Sequence, residues 1–153
     1  MDKRKPVVAL TLGDPAGIGA ELIARLLARP ETTQLANVVL LGDAWLWQDG
    51  QTIAGTAHEL PAVRSFADVR ERADTSRAAF LAVDTVQREQ VQRGTAQAVG
   101  GASVLTVLDR CMDAAMAGEV DAITFAPLNK FAMKQGGLKH DDELHHFAQH
   151  LGV

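Results

Sequence analysis

The sequence predicts an α/β fold with a parallel-type sheet flanked by helices. Two observations carry that prediction. Residues 6–12, 37–41, 78–83 and 121–125 form short, continuous apolar runs, which suits strands buried on both faces. Between them lie segments with apolar residues at helical spacing, and Gly-Asp turns follow the first two runs. That strand–turn–helix rhythm is the signature of βαβ units.

Each element follows from its own residues. PVVALTL at 6–12 is rich in β-branched side chains and reads as the first strand. Residues 20–29, AELIARLLAR, place apolar side chains at 22, 23, 26 and 27, and Pro30 ends the helix. NVVLL at 37–41 is the second strand. Residues 44–48, with Trp45 and Trp47, predict a short helix closed by an Asp49-Gly50 turn. Residues 65–73 read as a helix capped by Ser65, with Asp68 in the first turn. A strand follows at 78–83 and a polar surface segment at 87–93. Residues 95–117 form a long alanine-rich helix ended by Gly118. Gly100 and Gly101 inside it cost roughly 1 kcal/mol each relative to alanine, which points to close packing or a weak point. DAITF at 121–125 predicts another buried strand. A short helix at 128–135, a Gly136-Gly137 turn and a last helix at 141–150 complete the chain, read as one α/β unit over 1–153.

Composition limits the function classes. The 153 residues are 47% hydrophobic and 22% charged, with 15 basic against 19 acidic side chains and a net charge of −4. So mild an acidity gives no electrostatic drive toward nucleic acid or anionic membranes. The apolar run behind the basic opening is too short for a leader or a membrane span. Cys111, the single cysteine, cannot form an internal disulfide and fits a reducing cytoplasm.

Three segments carry candidate chemistry. The loop Gly13-Asp14-Pro15-Ala16-Gly17-Ile18-Gly19 joins the first strand to a helix. Its glycines permit close backbone approach to a ligand, and the helix start behind it offers N–H groups to an anion. It matches neither G-x-G-x-x-G nor a P-loop. A tight turn with Asp14 as helix cap is the other reading. Asn129 and Lys130 follow the strand at 121–125, where an open parallel sheet places ligand contacts. Lys130 can hold a carboxylate or phosphate, although an Asn-Lys at a helix start is also an ordinary surface feature. Finally, Asp142, His146 and His150 recur at i, i+4, i+8 and could offer metal ligands from one helical face. A solvated helix with dipole-favoured charges accounts for the same residues.

Two of these segments resemble a known family. VALTLGDPAGIGAELIARLL and GEVDAITFAPLNKFAMKQGG are similar, in order and spacing, to segments of the 4-hydroxythreonine-4-phosphate dehydrogenases of pyridoxal phosphate biosynthesis. The resemblance implies a two-domain fold like isocitrate and isopropylmalate dehydrogenases, a homodimer, and an active site in the interdomain cleft. It implies NAD, a divalent metal (Zn, Mg, Mn or Co) and a small phosphorylated substrate that is oxidised and decarboxylated. It places Gly13, Asp14, Gly17, Ile18, Gly19, Asn129 and Lys130 at the cleft. The family's Gly-His-Thr-Glu corresponds to His140-Asp141-Asp142-Glu143, with Asp141 and Asp142 at the His and Thr positions and His140 one place early. Two carboxylates suit a phosphate poorly, so the resemblance is to a divergent branch. Family members run to about twice this length, and their metal-binding histidines lie beyond the matched segments. The expectation is a chain that lacks the second half of the family fold. Its activity is then that of a phosphothreonine dehydrogenase, of a dehydrogenase for a four-carbon sugar-acid phosphate, or none if it is a short paralogue or metal-binding module.

Overall fold

The computed structural model describes residues 4–153; Met1 to Lys3, part of the basic opening, lie outside the described residues. Four parallel strands, β1 (Val7–Thr11), β2 (Asn37–Gly42), β3 (Ala79–Ala82) and β4 (Ala122–Phe125), form one sheet in the order β3-β2-β1-β4. Helix α1 (Gly19–Leu27), α2 (Glu31–Gln34) and α3 (Ala44–Ala54) belong to the first half of the chain. They are followed by α4 (Phe66–Glu71), α5 (Ala98–Met116), α6 (Lys130–Gln135) and α7 (Glu143–Leu151).

Alternation along the strands builds two apolar layers. Val7, Ala9, Val39, Leu41, Ala79 and Leu81 meet Phe66 and Val69 of α4 and Val107, Cys111 and Ala114 of α5. Leu10, Leu12, Val38 and Leu40 point the other way, onto Ala20, Ile23 and Ala24 of α1 and Leu46 and Trp47 of α3. Covered on both faces, β1 and β2 need continuous apolar sequence, as their residues supply. Cys111 is fully buried, and that burial pushes its thiol up to about 12, so it packs as a small apolar side chain.

Three expectations need correction. Asp49 and Gly50 lie inside α3 rather than in a turn, and the glycine there serves packing, since a side chain at Gly50 would overlap the Ala20 backbone of α1. The helix from residue 20 ends at Leu27, and Pro30 stands at the start of α2, an element missed in the sequence. Residues 61–63 also run along β3, with the Val63 and Phe80 N–H groups donating across at 2.9 and 2.8 Å. Strand β4 is not buried: it pairs with β1 alone, and its residues are exposed or half-buried. Its apolar composition resembles that of β1, but no described strand lies along its outer edge. The Ser65 cap is present as expected, within a reciprocal Ser65–Asp68 capping box.

Asp121 sets the register of β4. Its carboxylate accepts from the Val7 N–H at 2.8 Å and from Arg70 at 3.1 Å, and its own N–H donates to the Val7 carbonyl. The backbone hydrogen bond and the guanidinium hold its carboxyl below the ordinary range. That contribution is complete above the unfolded value of about 3.9 and is lost as pH falls from there through the lower value of the folded state. The urea midpoint should therefore drop more steeply below pH about 4 in the natural chain than in Asp121→Asn.

Helix α5 also meets α6, where Gly101 touches the Ala132 carbonyl so closely that any side chain would overlap it. Helix propensity alone predicts that Gly101→Ala stabilises by about 1 kcal/mol. Packing predicts the opposite, a loss of about 1–3 kcal/mol. Urea unfolding should show the loss.

Candidate functional site

The strand order decides where a ligand can sit. From β1 the chain winds outward through β2 to β3, and then crosses back to place β4 on the other side of β1. Loops leaving the carboxyl ends of β1 and β4 therefore diverge, opening a crevice at this switch point. The two candidate loops are the ones that leave there. They line a shared open depression of about 400 Å³, formed by Asp14, Gly17, Ile18, Pro127, Leu128, Asn129 and Lys130.

The loops are tied to each other before any ligand is considered. The Asp14 N–H donates to the Pro127 carbonyl at 3.2 Å, and the Ala126 N–H donates to Thr11. Gly13 adopts φ +75°, and a side chain there would press on the Pro127 carbonyl at 2.7 Å. Gly19 is packed against Leu12 and Ala126. These two glycines thus serve backbone-to-backbone packing, while Gly17 and Ile18 face the depression. Asp14 is buried and is not the cap of α1: its Oδ1 accepts from the Ala16 N–H at 3.0 Å, within the loop. Ile18 occupies the cap position instead, with no side-chain hydrogen bond to the helix. No side chain therefore caps the first N–H groups of α1.

Asn129 caps α6, its Oδ1 accepting from the Ala132 N–H at 3.0 Å. Lys130 projects from the first position of α6, exposed, with Nζ 3.5 Å from Glu143 Oε2. Asp142 caps α7 by accepting from the His145 N–H at 2.9 Å and the His145 imidazole at 2.7 Å. Those contacts hold its carboxyl below the ordinary range. Asp141 is exposed, and His140 contacts the Gln149 side chain.

The face predicted from Asp142, His146 and His150 forms only in part. His146 and His150 do share a side of α7, but Asp142 is engaged at the cap. Their carboxylate partners are Asp109 and Asp113 of α5: His146 Nε2 lies 2.7 Å from Asp109, and His150 Nε2 lies 2.7 Å from Asp113. The sequence reading missed both aspartates. Their i, i+4 spacing was visible, but nothing in the sequence pairs α5 with α7. His58 is structural, its Nε2 on the Ala24 carbonyl and its ring stacked on Trp47.

A second buried carboxylate lies behind the loops. Asp43, just past β2, takes the Thr85 N–H and hydroxyl at 2.9 and 2.6 Å, and Thr85 in turn meets Ser103 of α5. This network fixes the end of β2 to α5.

Comparison with known proteins places the fold. Residues 34–153 match the family described as pyridoxal phosphate biosynthetic protein PdxA. The chain belongs to the PdxA family. It is 42% identical over 149 residues to a Pseudomonas aeruginosa protein provisionally named 4-hydroxythreonine-4-phosphate dehydrogenase 2, covering 96% of this chain and 43% of that one. A Symbiobacterium thermophilum protein provisionally named D-threonate 4-phosphate dehydrogenase is 35% identical, over 88% of this chain and 39% of the relative. The crystal structure of a 4-hydroxythreonine-4-phosphate dehydrogenase from Burkholderia phymatum superposes with a TM-score of 0.84 at 28% identity. That superposition covers 97% of this chain and 44% of the other. The chain thus spans less than half the length of the PdxA relatives it matches. Among the described residues no helix is long and apolar enough to cross a membrane.

Because Asn129 is held by the α6 cap, its replacement reports on folding before binding. Asn129→Ala should lower stability by about 1 kcal/mol, while Asn129→Asp, which keeps the acceptor, should lose little. Thermal melts of the two variants would distinguish a cap from a side chain free for ligand.

Proposed function

We propose that this α/β unit forms one wall of the substrate cleft of an NAD- and divalent-metal-dependent dehydrogenase. Its substrate is 4-phosphohydroxy-L-threonine or a related phosphorylated four-carbon hydroxy acid such as D-threonate 4-phosphate. The observation that carries the reading is the shared depression between β1 and β4, where both segments that resemble the dehydrogenase family meet. Relatives bearing both substrate names support the choice between them being open to assay.

The chemistry available at this wall is anion binding. Lys130 supplies the cation, and the uncapped start of α1 supplies backbone N–H groups. Glu143 already sits against Lys130, so a substrate anion must share or displace that partner. Asp142 is committed to its cap and does not face the anion as a free carboxylate, which eases the repulsion expected from the sequence. Asp14 is the one carboxylate in the lining of the depression and no histidine lines it, so these residues by themselves are too few to hold a metal. Within the glycine loop, Gly13 and Gly19 are taken up by packing against neighbouring backbone, which leaves Gly17 and Ile18 to face a ligand. We therefore assign no hydride-transfer step to these residues. A cytoplasmic homodimer belongs to the same reading, and the exposed apolar side chains of Phe125, Phe131 and Leu144 suit such an interface.

The test is NADH formation from 4-phosphohydroxy-L-threonine and from D-threonate 4-phosphate, with NAD and Mg²⁺ or Zn²⁺. The longest natural form containing this sequence should use one of them. Lys130→Met should raise KM there about tenfold or more, with a smaller effect on kcat. Turnover of neither substrate would overturn the dehydrogenase reading. Turnover by the 153-residue chain alone would overturn its role as a single wall.

A further inference from the structure

We propose that Asp109, His146 and His150 form a binding site for a divalent transition-metal ion that clamps α7 onto α5. Two helices each present an i, i+4 pair to the other, Asp109 and Asp113 from α5 and His146 and His150 from α7. Helical neighbours at that spacing lie one above the other, so both imidazoles reach a common point. Their ring centroids are 6.3 Å apart.

The donor atoms are already close to ligand spacing. One ligand atom from each of Asp109, His146 and His150 falls within 4.8 Å of the others. Asp109 Oδ1 stands 2.7 Å from His146 Nε2 and 3.6 Å from His150 Nδ1. Bonds of 2.0–2.1 Å in a tetrahedral site place ligand atoms about 3.3 Å apart, so small side-chain rotations suffice. His150 carries a further feature of metal sites. Its Nε2 faces the Asp113 carboxylate at 2.7 Å. With the proton on Nε2 and donated to Asp113, the Nδ1 lone pair is free and aimed toward Asp109. Carboxylate support of this kind fixes the tautomer and raises the basicity of a ligating imidazole.

The donor set selects the ion. Two imidazole nitrogens and one carboxylate favour Zn²⁺, Co²⁺ or Ni²⁺ over Mg²⁺ and Ca²⁺, which prefer all-oxygen shells. Three protein ligands leave a position for water. The helix being clamped has reason to need it, because α7 buries none of its residues fully. Its apolar anchor is the half-buried Phe147, packed against the Val104–Leu108 cluster and edge-on to Phe125.

Isothermal titration of the 153-residue chain with zinc chloride tests the site. One Zn²⁺ per chain should bind at micromolar or lower Kd, millimolar Mg²⁺ should not compete, and Tm should rise with zinc. His146→Ala, His150→Ala and Asp109→Asn should each abolish the heat and the Tm rise. Asp113→Ala should weaken binding about ten- to hundredfold. His145→Ala, on the exposed side of the same helix, should bind normally. Alanine is a better helix former than histidine, so α7 should survive these changes, with circular dichroism as the check. If a variant does lose helix, His146→Gln replaces it. Absence of binding at about 100 µM zinc overturns the proposal. So does binding that persists without His146 and His150, or that depends on His145.

Discussion

The parallel pairing of β1 with β2 on one side and β4 on the other is the constraint on which the rest of the molecule depends. β1 is nearly inaccessible to solvent, so its backbone groups must find partners within the sheet. Because the strands on its two sides arrive from different parts of the chain, the sheet reverses its winding at β1. That reversal opens the depression and brings residues 13–19 and 126–130 together although they are over a hundred positions apart in sequence. Asp121 locks the lower end of the β1–β4 pair through Val7, and the Asp14–Pro127 hydrogen bond closes the upper end. The candidate site is therefore a property of one strand pair rather than of either loop.

Helix α5 is the second organiser, and it serves two clients. Val107, Cys111 and Ala114 seal one face of the sheet, while Val104, Leu105 and Leu108 receive Met133, Leu138 and Phe147. Gly101 lets α6 approach to backbone contact. The side of α5 that carries Asp109 and Asp113 then meets α7. A helix packed on two sides has little freedom to move, which makes it a rigid platform for the more polar α7.

Much of the architecture was legible in the residues. Continuous apolar runs marked all four strands, although only β1 and β2 are covered along their length on both faces. Ser65 and Asp68 announced α4 through their capping box. The rest depended on partners that the sequence does not name. β4 reads like β1 in composition, yet burial is set by neighbours, and among the described residues β4 has one strand neighbour where β1 has two. Gly50 reads as a turn until α1 lies across it. Asp14 reads as a helix cap because Asp-Pro commonly precedes a helix, but here the loop continues to Gly19 and the carboxylate turns back onto Ala16. The candidate site divides in the same way. Gly17, Ile18 and Lys130 stood out in their own segments and line the depression, whereas Asp109 and Asp113 acquire meaning only from the crossing of α5 and α7.

By itself the sequence determined the fold class, the strands and most helices, and membership of the PdxA family through two local segments. These are short-range properties, written in periodicity, capping and turn residues. Tertiary structure alone decided which carboxylates meet which cations, which strand stays open, and which helix faces which. Those outcomes rest on contacts between residues distant in the chain, for which local propensity carries no information.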